Sequence, residues 1–288
     1  MTETQARADI PALKETARLL RKDIIEMTTK AGSGHPSSSM SAAEVVAGLY
    51  FGGILRHNPA EPKWPDRDRF VLSKGHACPV LYAALANTGY FPLEWMDHLR
   101  EIDAPLEGHP NYLRVPGAEA STGSLGQGLS IGVGMAMAGH MDNKDYKVYV
   151  MTGDGEIEEG QIWEAAASAA KFYLPNIVWI IDRNGFQQTG STKDVMPMDP
   201  LAEKATAFGW HVREINGQDM AEVMDALEEA KSYHEGPYCL ICNTKKGAGV
   251  SFVEGNFHYH GKALTVEETH RALLELGWTA EAAKYAKG

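Results

Sequence analysis

The residues of this chain best equipped for chemistry fall into two groups. The first is Gly153-Asp154-Gly155, at the end of a strand-like run, with Asn184 just past the end of the next one. In a parallel sheet both positions fall on the carboxyl edge, where open α/β sheets bind ligands. Asp154 offers a hard carboxylate and Asn184 a neutral amide oxygen. Completed by a backbone carbonyl and a diphosphate, such ligands suit Mg2+ or Ca2+. Gly155 lets the main chain approach a phosphate closely, and a helix beginning near Ile157 would favour that group at its N-terminus. Alone, Gly-Asp-Gly is a common strand-end turn and Asn184-Gly185 a common loop. Their separation by about one βαβ unit favours a diphosphate–metal site.

The second group is histidine. His35 in Ser33-Gly34-His35-Pro36, His76 in Lys74-Gly75-His76, His109 in Glu107-Gly108-His109-Pro110 and His260 in Tyr259-His260-Gly261 all stand beside glycine. One loop histidine is usually a solvated side chain. Four beside glycine suggest a pocket where imidazoles approach a ligand without Cβ crowding. No zinc-type spacing is present, so polar contacts and proton transfer are the expected roles. His57, His98, His140, His211, His234, His258 and His270 lack that context and read as surface or packing residues. Cys239-Leu240-Ile241-Cys242 matches C-x-x-C, but it falls in a strand, where residues three apart face opposite ways. A redox site needs that motif at a helix N-terminus. Glu156 and Glu158 read as charges favoured at the start of a helix.

These residues must be held by alternating helices and strands. Periodicity predicts helices over about Pro11–Thr29, Ser41–Gly52, His76–Ala86, Leu125–Met141, Ile162–Tyr173, Leu201–Phe208, Met220–Ser232 and the tail Val266–Ala286. Ser41 and Glu44 suggest a capping box. The glycine-rich Leu125–Met141 segment suggests a tightly packed, deeply buried helix. Ala31–Ser39 and about Phe91–Thr122 read as loops. Strands are expected at Phe70–Leu72, Val148–Met151, Ile177–Ile181, Trp210–Ile215 and Tyr238–Ile241. Apolar strands separated by helices predict an α/β fold, a mostly parallel sheet with helices on both faces. No repeat or linker is evident. The reading is one domain over 1–288, with an N-terminal helical layer to about residue 60 and a helical tail from about 263.

The chain has 288 residues, with 27 Lys+Arg against 38 Asp+Glu and a formal charge of −11. Apolar residues at 44% and charged residues at 23% are ordinary for a globular chain. The negative balance argues against nucleic acid as a partner. Three cysteines cannot build a disulfide framework, which favours a reducing cytoplasm. The stretch from Met1 to Ile10 lacks an apolar core of the signal-peptide kind, and no apolar run is long enough to span a bilayer.

Taken together, six stretches resemble the transketolases, which use thiamine diphosphate. They are Gly32-Ser33-Gly34-His35-Pro36, Phe70-Val71-Leu72-Ser73-Lys74-Gly75-His76-Ala77, Thr122-Gly123-Ser124-Leu125-Gly126-Gln127-Gly128, Gly153-Asp154-Gly155-Glu156 with Glu159-Gly160, Asp182-Arg183-Asn184-Gly185, and His260-Gly261. They occur in the family's order, across nearly the whole chain, and match only its N-terminal, diphosphate-binding domain. The resemblance implies that Asp154, Asn184 and the Phe186 carbonyl bind the metal. It implies that Lys74, His76, Gly155, Lys246 and His260 contact the diphosphate end. Gly123 and Leu125 would line the cofactor's rings, with Gln188 at the thiazolium. Glu159 would join a carboxylate network between two active sites. His35, His76, His109 and His260 would surround the substrate hydroxyls and polarise the carbonyl or move the proton when the C2–C3 bond breaks.

The departures are mild at the site. Ser37 follows His35-Pro36 where some members have Gly, and position 188 is aliphatic in some. The large departure is length, because the family's second and third domains have no counterpart here. The second domain supplies the Glu that protonates the aminopyrimidine. The chain is therefore expected to be one subunit of a split transketolase in an α2β2 assembly. With a partner carrying the pyrimidine-binding and C-terminal domains, it would move a two-carbon ketol unit from a ketose (phosphate) to an aldose. The competing readings are the α subunit of a 2-oxo-acid dehydrogenase, half of a deoxyxylulose-phosphate synthase-like enzyme, and a scaffold protein that kept the fold. The Gly34-His35-Pro36 and His260-Gly261 sites disfavour the first. The Thr122–Gly128 stretch disfavours the second, and the intact site residues disfavour the third.

Overall fold

The computed structural model describes residues 9–286. Residues 1–8, most of the polar N-terminal stretch, and the last two residues lie outside them. Five strands form one sheet: β1 (Arg69–Leu72), β2 (Val148–Gly153), β3 (Ile177–Arg183), β4 (His211–Asn216) and β5 (Tyr238–Asn243), in the order β1-β2-β3-β5-β4. Every pairing is parallel. Parallel strands need long crossovers, and the helices between them supply these.

Eight helices carry most of the packing: α1 (Ile10–Ala31), α2 (Ala43–Phe51), α3 (Cys78–Asn87), α4 (Gln127–Met141), α5 (Gly160–Lys171), α6 (Leu201–Ala207), α7 (Met220–Ser232) and α8 (Val266–Glu275). The sheet's two faces build two cores. Phe70, Leu72, Tyr149, Met151, Val178, Ile180, Leu240 and Cys242 point toward α1, α2, α3, α7 and α8. Val71, Val148, Val150, Trp179, Ile181, Cys239 and Ile241 point toward α4, α5 and α6. The period of two along each strand produces this division. It also puts Cys239 and Cys242 in opposite cores, as expected for a C-x-x-C pair within a strand. All three cysteines are free and buried. Among the described residues, no helix is long and apolar enough to cross a membrane.

Four local expectations change. α2 starts at Ala43 with Ala42 as its N-cap and no side-chain cap. Ser41 instead donates to Asp182 at 2.7 Å, and Glu44 pairs with Arg21 at 2.6 Å. Buried tertiary partners thus outcompete the local capping box. Pro36–Met40, inside and just past the expected loop, is a one-turn helix with every residue buried. The tail is broken: α8 ends at Glu275, Gly277 takes φ 79°, and a second short helix covers Thr279–Ala282. A left-handed residue cannot continue a right-handed helix.

The fourth change concerns α4, which buries only one face. Gly128, Leu129, Gly132, Val133 and Ala136 face the core, while Met141 is 74% exposed. A Cβ at Gly132 would overlap the Val150 side chain, whereas one at Gly134 would meet nothing within 4 Å. The glycines therefore serve two different ends. Gly132→Ala should cost the isolated chain about 1–3 kcal/mol through overpacking. Gly134→Ala should leave it unchanged or add up to about 1 kcal/mol through helix propensity. Urea unfolding of both variants checks this, and equal effects would contradict the packing difference.

Candidate active site

The loops leaving the carboxyl ends of β1, β2, β3 and β5 carry the chemistry. β1 delivers Lys74 and His76, β2 delivers Asp154 and Gly155, β3 delivers Asp182 and Asn184, and β5 delivers Thr244 and Lys246. The buried helix Pro36–Met40 closes the site from the side.

Asp182 is the hub. Its carboxylate accepts from Lys74 Nζ, from Thr244 Oγ1, from Ser41 Oγ at 2.7 Å and from Asn184 Nδ2 at 3.1 Å. Burial alone would raise its pKa, but Lys74 and the hydroxyl donors hold it below the usual carboxylate range. Lys74 also donates to the Ser38 carbonyl at 2.8 Å. Lys246, only 1% exposed, donates to Ser38 Oγ at 2.9 Å. Burial and the nearby Lys74 push Lys246 down to about 8. Lys246 has no carboxylate within salt-bridge reach among the described residues.

Asp154 lies across from these cations. Its Oδ1 accepts from the Gly155 N–H at 3.0 Å and its Oδ2 from the Gly185 N–H at 2.6 Å. Burial, and then the charge of Asp182, raise its carboxyl to about 7. Asn184 turns its Oδ1 toward the Phe186 N–H at 3.2 Å. A Cβ at Gly155 would stand 2.9 Å from that of Gln187, whose Oε1 is buried without a partner. Gln188, the expected thiazolium contact, is exposed on the same loop. The expected helix start near Ile157 is a short 3-10 turn over Glu156–Glu158, and α5 begins at Gly160. Glu156 is not a solvated helix-end charge. It is 2% exposed and accepts from Ser73 Oγ and from the N–H groups of Gly126 and Gly153. Glu159 is exposed beside Gly126.

Three of the four histidines meet. The His35 ring centroid lies 5.1 Å from that of His76 and 5.4 Å from that of His260, and His76 and His260 are 5.2 Å apart. His109 stands apart, against Gly123. Of the glycines beside these histidines only Gly261 makes room for an imidazole, its Cβ position lying 3.2 Å from His35 Nε2, whereas a Cβ at Gly34, Gly75 or Gly108 would meet Thr28, Thr122 or Arg100. Gly123, on another loop, makes room for His109 at 3.0 Å. Burial lowers all four pKa values, with nearby cations adding to it. His35 falls to about 4 and His260 to about 3. All four rings are thus neutral near pH 7. The Nδ1 atoms of His35 and His260 are buried and unpartnered. Gly123 and Leu125 lie on the loop before α4, which Thr122 ties to β1 by donating to the Leu72 carbonyl at 2.7 Å. Among the other histidines, His57 packs against Tyr50 and Tyr90, and His211 against Tyr233 and Tyr238.

These residues fit a diphosphate and a divalent cation. Lys246 is a buried ammonium short of an anion, and unpaired buried charge is costly. Asp154 is a buried carboxylate short of a cation, beside a second carboxylate. Among the described residues there is no group of three His, Cys, Asp or Glu side chains arranged to hold a metal by themselves. Sequence reasoning missed two contributors: Asp182 and Gln187. Only Asp182 left a signal, a carboxylate ending a fully apolar strand.

The family described as "Transketolase, thiamine diphosphate binding domain" matches residues 11–286. The chain is 44% identical to a 6-deoxy-6-sulfo-D-fructose transketolase subunit of Clostridium sp. (strain MSTE9), covering 92% of this chain and 96% of the relative. It is 44% identical to an apulose-4-phosphate transketolase subunit of Phocaeicola vulgatus, covering 89% and 90%. With human transketolase it shares 41% identity over 93% of this chain but 42% of the human one. A crystal structure of a Pichia stipitis transketolase mutant superimposes with a TM-score of 0.89 at 30% identity, covering 96% of this chain and 43% of that one.

The neutral histidines make stability depend on pH. Unfolded, a histidine takes its proton near 6.5, while His35 waits until about 4 and His260 until about 3. At these two histidines the unfolded state binds more protons below 6.5, so their contribution to stability is full above 6.5 and falls as pH drops, against the opposite contribution of the raised carboxyl of Asp154. The urea midpoint of the isolated chain should be lower at pH 5 than at pH 7. His260→Gln should shrink that difference. An undiminished drop in the variant would mean that other groups set the slope.

Proposed function

The chain belongs to the transketolase family as its thiamine-diphosphate-binding N-terminal part, and on that footing we propose how it works as a subunit. The observation that carries the proposal is the pairing of opposite deficits: Lys246 lacks an anion and Asp154 lacks a cation, on loops that meet at one sheet edge. A diphosphate bridged by a metal supplies both.

In this reading, Lys74, Lys246, His76, His260 and Gly155 hold the diphosphate. Asp154, Asn184 Oδ1 and the Phe186 carbonyl hold Mg2+ or Ca2+. Gly123, Leu125 and Gln188 line the rings, and Glu159 stands at the interface between two cofactor sites. When bound, thiamine diphosphate supplies a nucleophilic carbon and an electron sink. His35, His76, His109 and His260 bind the sugar hydroxyls. Because they are neutral, each can donate from one ring nitrogen and accept at the other. A neutral ring that meets the hydroxyl can therefore hold or move the proton released when the C2–C3 bond breaks.

The substrates are a ketose donor and an aldose acceptor with an anionic far end. The two relatives of similar length are named for sulfonated and phosphorylated sugars. The partner is a second subunit carrying the pyrimidine-binding and C-terminal domains, in an α2β2 assembly. No nucleic acid or membrane takes part. The chain is one domain, two cores on one sheet, and its three free thiols suit a cytoplasmic setting.

The test is co-expression with the partner subunit, followed by a ketose-cleavage assay. The complex should turn over and the chain alone should not. Asp154→Ala in the complex should weaken Mg2+-dependent thiamine diphosphate binding about a hundredfold by calorimetry. Unchanged affinity would remove the metal assignment, and turnover by the chain alone would remove the two-subunit reading.

A further inference from the structure

Arg100 clasps two of the histidine loops. Its Nη1 donates to Ser33 Oγ at 3.0 Å, two residues before His35, and its Nη2 donates to the Gly108 carbonyl at 3.5 Å, one residue before His109. The position is built rather than incidental. Arg100 takes φ 64°, a left-handed conformation uncommon outside glycine. Its N–H donates to the carbonyl of the fully buried Leu106 at 2.8 Å. A Cβ at Gly108 would come within 2.8 Å of the Arg100 Cζ, so a larger residue there would make the guanidinium shift.

Among the described residues the charge of Arg100 has no counterpart. Most acids of its own segment are engaged elsewhere: Asp97 with Lys30 at 3.0 Å, Glu101 with His98 at 2.8 Å and Glu107 with Arg114 at 3.0 Å. Among the described residues no carboxylate pairs with Arg100 within 4.0 Å. A guanidinium has five N–H donors, and two of these are taken. The remainder stand exposed at the rim of a pocket whose histidines are neutral. The planar fork of arginine matches a tetrahedral oxyanion in two-point contact.

We propose that Arg100 binds the anionic far end of the sugar, a phosphate or a sulfonate, and so selects charged substrates. This rests on the transketolase reading above. The sequence left the distal end of the sugar mostly to the partner subunit, whereas the clasp puts one contact on this chain. The cation stands beside the loops of His35 and His109, so a sugar whose hydroxyls meet those rings would carry its charged end past the guanidinium.

The experiment uses the complex with its partner subunit and three donors: D-fructose 6-phosphate, 6-deoxy-6-sulfo-D-fructose and the uncharged L-erythrulose. Arg100→Gln should raise KM about tenfold for a charged donor that the wild type uses. Values for L-erythrulose should stay within about twofold, and Arg100→Lys should fall between for the charged donor. A rise for only one charged donor identifies which oxyanion the site takes. Equal losses on charged and uncharged donors, or no change on any, would overturn the role of Arg100. No turnover of any donor by the wild-type complex would overturn the transketolase substrates themselves and this role with them.

Discussion

Everything at the sheet edge depends on one buried pair, Lys74 and Asp182, each 1% exposed. Neither charge could be carried into the interior without the other, and removing one partner from such a pair typically costs about 3–5 kcal/mol. The pair is a poor source of net stability, because desolvation offsets most of the attraction. Its consequence is geometric. Asp182 also accepts from Ser41, Asn184 and Thr244, and Lys74 also reaches the Ser38 carbonyl. One carboxylate thus fixes the relative positions of four chain segments: the loop after β1, the end of β3, the loop after β5 and the short helix before α2. Glu156 does the same on the other side of β2, joining Ser73, Gly126 and Gly153.

That frame leaves the charges of the site unbalanced. Lys246 and Asp154 are both buried and both short of an opposite charge, and burial moves each toward its neutral form. The arrangement has a cost to folding that a bound diphosphate and cation relieve, so ligand binding and stability are coupled. The histidines follow the same logic. Burial and neighbouring cations keep them uncharged, which preserves an acceptor nitrogen on each ring. Charged imidazoles would be donors only.

The two faces of the sheet divide the labour. Helices α1, α2, α3, α7 and α8 form the larger core, which anchors the loops that bring His35, His76 and His260 together. Helices α4, α5 and α6 cover the other face. α4 reaches Val150 with glycine on its inner side and keeps Met141 in solvent.

The five parallel strands, the split of Cys239 from Cys242, the placing of Asp154 and Asn184 on one sheet edge and the meeting of His35, His76 and His260 were all legible in the sequence. They are so because a strand's period of two and the residue types at its carboxyl end are local properties. Long-range packing, by contrast, is what takes Ser41 and Glu44 out of their capping box, makes Glu156 a buried bracket, sets His109 apart from the other three rings and leaves Arg100 without an acid among the described residues. Asp182 and Lys74 are 108 residues apart in sequence. No local pattern records which donor a buried carboxylate will meet, because burial, which makes the pairing obligatory, exists only once the chain has folded.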